Sequence, residues 1–316
     1  MVVCDKCGRK AVYNRRYSGQ KLCEKCFIRM FEARTWKTFR SYEPLGQRVG
    51  VALSGGKDSL VALHLAHRYL PPSTELVVIS IDEGIEGYRP TTLDEAKKHT
   101  EELGLEHVVK TFKEVYGVTL DEIVKVSSRC SGDKDPKAFS PCTYCGVLRR
   151  HLLNRSAHEL GLDSLITGHT LDDETETILM NYLRGDLGHL MRGSPHPPKK
   201  PGFVPRVKPL REAPQKEVTL YALLTSLHPA YVECPYAHLA VRNQYRELLY
   251  NLESWDPGVR YSMLRAYDQI VKALRAYYPS PPLNRCHSCG EPTLHTLCRA
   301  CTLLEKLHLG SQGAEA

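Results

Sequence analysis

One hexapeptide limits what this chain can fold into: Ser54-Gly55-Gly56-Lys57-Asp58-Ser59. It sits between a short apolar run, Arg48 to Leu53, and a segment with helical spacing, Asp58 to Tyr69. Two adjacent glycines permit a tight turn and bring backbone N–H groups close to a phosphate chain. A helix starting at Asp58 points its positive end at the same anion. Lys57 adds a point charge and Ser59 a hydroxyl. The order is not that of a Walker A loop, which needs G-x-x-x-x-G-K-S/T. A chance glycine turn is the bland alternative, and six positions in a strand-turn-helix context argue against it.

The rest of the middle segment carries the same alternation. Glu75 to Asp82 and His107 to Phe112 have strand composition, and so does Ser164 to Thr167. Thr91 to Leu103, Leu148 to Leu160 and Asp172 to Leu183 have helical spacing. In the first helix, Leu60, Leu63, His64 and His67 fall near one face. Strands and helices alternating at these lengths predict an α/β fold, a parallel sheet with helices on both faces. Ligands then bind at the carboxyl ends of the strands. Gly168-His169-Thr170-Leu171-Asp172-Asp173 follows the third of these strands, so it too lies at a carboxyl end. An Asp pair opening a helix is usually a cap. Its coincidence with the glycine loop favours a Mg²⁺ or active-site role for these carboxylates.

Composition sets outer bounds. The chain has 316 residues, enough for one large core and one or two small modules. No apolar run approaches the roughly 20 residues of a membrane span. Met1 to Lys6 lacks the pattern of a signal peptide, so a cytoplasmic, membrane-free protein is expected. A formal net charge of +7 is compatible with a polyanionic partner.

The twelve cysteines say more, because ten of them form five Cys-x-x-Cys pairs. Such pairs in an intracellular chain indicate metal ligation rather than disulfides. Cys4, Cys7, Cys23 and Cys26 have the spacing of a four-thiolate zinc site, as do Cys286, Cys289, Cys298 and Cys301. Modules this short depend on the metal for stability. The expected domains are an N-terminal zinc module with its linking helix (1–40), a catalytic α/β domain (46–255), a helical linker (256–283), a C-terminal zinc module (284–306) and a disordered tail (307–316). The fifth pair, Cys142 and Cys145, opens a helix after Pro141, where a helix N-terminus lowers a thiol pKa. With Cys234 it could make a three-thiolate set. Spacing alone leaves three options: a [4Fe-4S] cluster with one open iron, a persulfide-carrying pair, or zinc with an unseen fourth ligand.

Ser54 to Ser59 resembles the PP-loop, whose enzymes cleave ATP between the α and β phosphates and adenylate an oxygen. The chain as a whole resembles the PP-loop tRNA thiolation enzymes of the TtuA, NcsA and cytoplasmic tRNA 2-thiolation group. Both Cys modules carry the resemblance, with Ser54 to Ser59, Ile81-Asp82-Glu83-Gly84-Ile85, Gly87-Tyr88-Arg89, Pro141 to Arg150, Gly168 to Asp173, Arg206-Val207-Lys208-Pro209-Leu210 and Glu233-Cys234. Thr170 stands where the family motif often has Asn. The resemblance implies ATP bound by Ala52, Ser54, Gly55, Gly56, Lys57, Asp58, Ser59, Gly168 and Asp173. It implies catalytic roles for Lys57, Asp58, Asp172, Cys142, Cys145 and Cys234, the three cysteines holding a [4Fe-4S] cluster that carries sulfur rather than electrons, and two structural Zn²⁺.

The implied reaction converts a tRNA uridine to 2-thiouridine. Position 54 of the thymine loop is the first expectation, with wobble uridine 34 and cytidine 32 as alternatives. The sulfur donor would be sulfide or a ubiquitin-like thiocarboxylate carrier, and the assembly a homodimer. Arg149, Arg150, Arg155, Lys199 and Lys200 are candidate tRNA contacts, while Cys130 lies outside the matched motifs. A zinc-bearing RNA-binding protein with a regulatory nucleotide site is the competing class, and Cys142, Cys145 and Cys234 argue against it.

Overall fold

The computed structural model describes residues 2–130, 140–193, 201–278 and 281–312. The Ser131 to Asp135 insert, Lys199, Lys200 and the Cys130 side chain lie outside the described residues.

The chain opens with an antiparallel hairpin of β1 (Tyr13–Arg15) and β2 (Gln20–Leu22), with Tyr13 opposite Leu22. The helix α1 (Glu24–Ser41) starts directly after Cys23 and buries Phe27, Phe31, Thr35, Thr38 and Phe39 along one stripe.

The α/β domain follows as β3 (Arg48–Ala52), α2 (Lys57–Tyr69), β4 (Glu75–Asp82), α3 (Arg89–Glu102) and β5 (Glu106–Thr111). Next come α4 (Phe112–Tyr116), α5 (Leu120–Cys130), α6 (Pro141–Glu159), β6 (Ser164–Thr167), α7 (Leu171–Leu183), α8 (Leu187–Arg192), β7 (Arg206–Val207) and α9 (Gln215–Leu224). A 3-10 turn at Ala237–Leu239 leads to α10 (Arg242–Trp255) and α11 (Val259–Tyr277). The C-terminal module is β8 (Asn284–Arg285), β9 (Pro292–Thr293) and α12 (Arg299–Gln312).

The central sheet is parallel throughout, in the order β5-β4-β3-β6-β7. Val77, Val78, Ile79 and Ser80 of β4 are wholly buried, as expected of a strand covered on both faces. From β3 the chain first builds outward through β4 and β5, then returns to place β6 on the other side. The carboxyl ends of β3 and β6 therefore flank the switch point, where open α/β sheets bind ligands. One apolar core lies on the side of α1, α2 and α9, and a second lies under α5, α6 and α12.

Three expectations need correction. His67 is exposed, and α2 buries Val61, Ala62, Leu65 and Ala66 as well as Leu60 and Leu63. The helix is packed between the sheet, α1 and α9, so almost its whole circumference is apolar. The segment 256–283 is not merely a linker, since α11 docks on α7 and buries Arg260, Leu264, Tyr267 and Val271. The disordered tail is too long as drawn, because α12 continues to Gln312 and Leu303 and Leu307 pack into the second core.

Candidate active site

The hexapeptide forms the turn from β3 into α2. Gly55 has φ +80°, and a Cβ there would stand 1.9 Å from the Thr92 carbonyl oxygen, so only glycine fits. Gly168, at the end of β6, lies equally close to the loop: its Cβ would fall 2.7 Å from the Asp58 carbonyl and the Ser59 nitrogen. Ala52 ends β3 below the turn. Ser59 Oγ accepts from the Ser54 N–H at 3.1 Å and donates to the Gly56 carbonyl at 2.9 Å, closing the loop on itself. The N-cap is Gly56, which has no side chain to cap the helix, and the first-turn N–H groups of α2 stay open to an anion.

Lys57 Nζ lies 3.0 Å from Asp58 Oδ2, while Asp58 Oδ1 is buried without a hydrogen-bond partner. Burial pushes the Asp58 carboxyl up to about 6 against the pull of Lys57, and Asp173 and Asp172 push the same way. An orphaned carboxylate oxygen crowded by two more carboxylates suits a divalent cation.

The Asp pair at the start of α7 divides its work. Asp173 is the N3 member of a capping box with Thr170, accepting from the Thr170 N–H at 2.9 Å and its hydroxyl at 2.8 Å. Its pKa falls despite burial, because His169, Thr170 and Arg242 outweigh desolvation. Asp172 instead accepts from the Gln215 N–H at 2.7 Å and faces Arg260 at 3.7 Å. Burial raises its pKa against those two partners. Asp173 is thus the cap, and its neighbour Asp172 is the carboxylate turned towards α9 and α11. Asp172 and Lys57 line one cleft of about 450 Å³ with Arg16, Gln215, Lys216 and Tyr250.

A second group of residues stands beside the loop. Cys142 and Cys145 occupy the first turn of α6, and Cys142 Sγ points at the Tyr236 carbonyl at 3.7 Å, two residues beyond Cys234. Besides burial, the Cys234 thiol raises the pKa of Cys142, and Cys234 and Cys142 both raise that of Cys145, so the three share one neighbourhood. The expected lowering at the helix N-terminus is not found. Burial raises Cys142, and burial carries Cys145 up to about 11 even with Arg149 beside it. Desolvation outweighs the helix dipole here. Their sulfurs are not gathered within 4.8 Å as those of the two terminal sets are. That spacing is wider than a single four-thiolate zinc ion accepts.

Glu83 and Arg89 join this group to the phosphate loop. Arg149, one turn beyond Cys145, lies 3.3 Å from Glu83 Oε1. Arg89 Nε lies 3.0 Å from Glu83 Oε2, and Arg89 Nη1 donates to the Ser54 carbonyl at 2.8 Å. Glu83 is 2% exposed and Arg89 3%. Both sit in the matched motifs, yet nothing in their spacing announced this role. Arg260, Gln215 and Arg242 were missed altogether, because each reaches the site from far along the chain.

The terminal sets bring four sulfurs each within 4.8 Å. In the first, Cys7 and Cys23 lie 3.4 Å apart, and in the second, Cys289 and Cys298 lie 3.6 Å apart. All eight are free thiols. Burial raises Cys4 and Cys286, but amide hydrogen bonds prevail, first from Cys23 and Cys298 of the opposite turns and then from their own turns, and bring each to about 6, whereas burial lifts Cys298 to about 11. That is the donor chemistry of a tetrahedral four-thiolate site.

Among the expected tRNA contacts, Arg155 pairs with Glu159 at 2.8 Å and Arg149 with Glu83, so neither is a free surface charge. Desolvation lowers the pKa of Arg150, and Arg149 and Arg242 push it the same way.

Parallel sheet, glycine loop and open helix N-terminus define a PP-loop domain of the ATP pyrophosphatase type. Residues 30–252 match the PP-loop domain family, and residues 3–28 match the N-terminal LIM domain of the 2-thiouridine synthetase TtuA. The chain belongs to the family of NcsA and cytoplasmic tRNA 2-thiolation protein 1. It is 39% identical to the tRNA 2-thiolation protein NcsA of Haloferax volcanii, over 96% of this chain and 98% of the relative. It is 36% identical to cytoplasmic tRNA 2-thiolation protein 1 of Candida glabrata, over 96% and 86%. Among solved structures it is similar to the U34-tRNA thiolase NcsA of Methanococcus maripaludis with its [4Fe-4S] cluster, at 35% identity, 97% coverage of both chains and a TM-score of 0.82.

Proposed function

We propose that this protein is an ATP-dependent tRNA sulfurtransferase that converts the wobble uridine, position 34, to 2-thiouridine in the cytoplasm. One observation carries the reading. The Cys142, Cys145 and Cys234 group and the phosphate loop are neighbours, linked through Arg149, Glu83, Arg89 and Ser54. A regulatory nucleotide site on an RNA-binding protein has no use for three half-buried thiols at its edge. Full-length likeness to a U34-tRNA thiolase supports position 34 over position 54 of the thymine loop.

The uridine O2 attacks the α phosphorus of ATP. The bond from that phosphorus to the bridging oxygen breaks, and pyrophosphate leaves with the electron pair. Lys57 and the N–H groups of the loop and of the first turn of α2 face the phosphates and stabilise the charge that develops there. Asp58 and Asp172 would hold Mg²⁺, which neutralises phosphate charge, while Asp173 keeps α7 capped. Hydrosulfide then attacks C2, AMP leaves with the C2–O bond pair, and the proton leaves the sulfur to give the C2=S group. Cys142, Cys145 and Cys234 would hold the [4Fe-4S] cluster, which supplies an iron without a protein ligand to carry the sulfur. Arg149 sets a positive charge beside Cys145. The sulfur would come from sulfide or a ubiquitin-like thiocarboxylate carrier, and the two terminal Cys sets would hold structural Zn²⁺.

The deciding experiment is nucleoside mass spectrometry with position mapping on tRNA from a deletion strain. Loss of 2-thiouridine at position 34 is expected. Loss at position 54 alone, or at cytidine 32, would assign a different substrate.

A further inference from the structure

Glu217, on the first turn of α9, is completely buried and tied to the N-terminal hairpin. The hydroxyls of Tyr13 and Tyr17 donate to its Oε1 at 3.0 and 2.8 Å, and Arg15 lies 3.5 Å away. Arg34 of α1 pairs with its other oxygen. Residues 13, 15 and 17 therefore all turn towards Glu217. Arg16, between two of them, is exposed and faces the other way, into the cleft that also contains Lys57 and Asp172. Lys216, the residue before Glu217, lines the same cleft.

Three cations from three separate segments thus meet in one cleft: Arg16 from the Cys hairpin, Lys57 from the phosphate loop and Lys216 from α9. Lys57 and Lys216 have carboxylates at 3.0 and 3.3 Å, on Asp58 and Glu253. Arg16 makes no ion pair among the described residues. A planar guanidinium with five donors matches the oxygens of a phosphate and can bind it through two of them at once.

We propose that Arg16 binds the pyrophosphate end of ATP, so that the N-terminal Cys module supplies a cation to the nucleotide site. The proposal rests on the ATP-site reading above. When the bond between the α and β phosphates breaks, negative charge grows on the departing pyrophosphate, and a fixed guanidinium there acts on the charge that develops. The Glu217 anchor fixes the direction of Arg16. The four cysteines fix the hairpin beneath it, so the metal site and the nucleotide site share one rigid support.

The test uses the intact metal-loaded protein with Arg16→Ala, Arg16→Lys and Lys57→Ala. Inhibition by inorganic pyrophosphate, the KM for ATP in tRNA-dependent AMP formation, the tRNA Kd without nucleotide, and zinc content are measured. Arg16→Ala should raise the pyrophosphate inhibition constant and the ATP KM about tenfold, the scale of one lost charge-assisted contact. Arg16→Lys should fall between it and the wild type, with zinc content and tRNA Kd unchanged. Unchanged pyrophosphate inhibition with weakened tRNA binding would place an RNA phosphate on Arg16 and overturn the proposal, as would no change in either. If Lys57→Ala also left ATP and pyrophosphate binding intact, the ATP-site reading itself would fail, which separates that failure from a failure of Arg16 alone.

Discussion

The Arg89 guanidinium donates to the Ser54 carbonyl at 2.8 Å, fixing the first residue of the phosphate loop from a helix that follows the neighbouring strand. The same nitrogen donates to Thr92 Oγ1 at 3.0 Å, and the guanidinium pairs with buried Glu83, so two acceptors and one carboxylate are held by one rigid fork.

Arg89→Met leaves Glu83 buried with only Arg149 as partner. Breaking a buried pair by removing one side costs on the order of 3 kcal/mol, and this loss is expected in urea unfolding. ATP affinity should fall with it, because Ser54 loses its brace. Arg89→Lys should not restore binding, since an ammonium cannot span Ser54, Thr92 and Glu83 at once. Full ATP affinity in Arg89→Met would show the brace to be irrelevant.

Asp58 lowers the stability of the fold at neutral pH. Its carboxyl titrates near 6 in the fold, above its ordinary value of 3.8. Between those values the folded state holds more protons than the unfolded chain, so stability falls as pH rises through this window and stays lowered above it. Asp58→Asn in EDTA should therefore gain on the order of 2 kcal/mol at pH 8 and nothing at pH 3.5. Mg²⁺-dependent AMP formation should collapse in the same variant. A gain independent of pH would refute the assignment.

Cys234→Ala should abolish thiolation and leave ATP binding intact. Protein purified without oxygen should be brown, and the variant should lose the broad visible absorption. A colourless anaerobic preparation with full thiolation activity would end the cluster reading. Loss of ATP binding in Cys234→Ala would mean that the residue supports the fold instead.

Metal analysis should find two zinc ions per chain, and Cys298→Ser should remove one. Because Cys286, Cys298 and Cys301 pack with Leu303 and Leu307 against the core under α5 and α6, that variant should also unfold at lower urea. Full zinc content in Cys298→Ser would show that this set is not a four-thiolate site.

Much of this was legible in the sequence because it is local. Ser54 to Ser59 states its own backbone geometry, since two glycines and a following helix are enough to make an anion cradle. The Cys-x-x-Cys pairs state theirs, because one turn brings two sulfurs to one ion. Strand and helix alternation followed from periodicity, with most boundaries within two or three residues.

What needed the tertiary structure was every contact between distant segments. The capping role of Asp173 is local, set by Thr170 three residues back, but what Asp172 faces depends on Gln215 and Arg260, which α9 and α11 bring in. The pKa of Cys145 depends on how deeply α6 is buried, and that reversed the expectation from its helix position. Glu217 and Arg16 take on meaning only when the hairpin lies on α9. Sequence alone fixed the chemistry of the loop and the metal turns, because backbone geometry over a few residues sets it. Only the fold chose which charges face one another across the cleft, because burial and Coulomb interaction depend on distances in space.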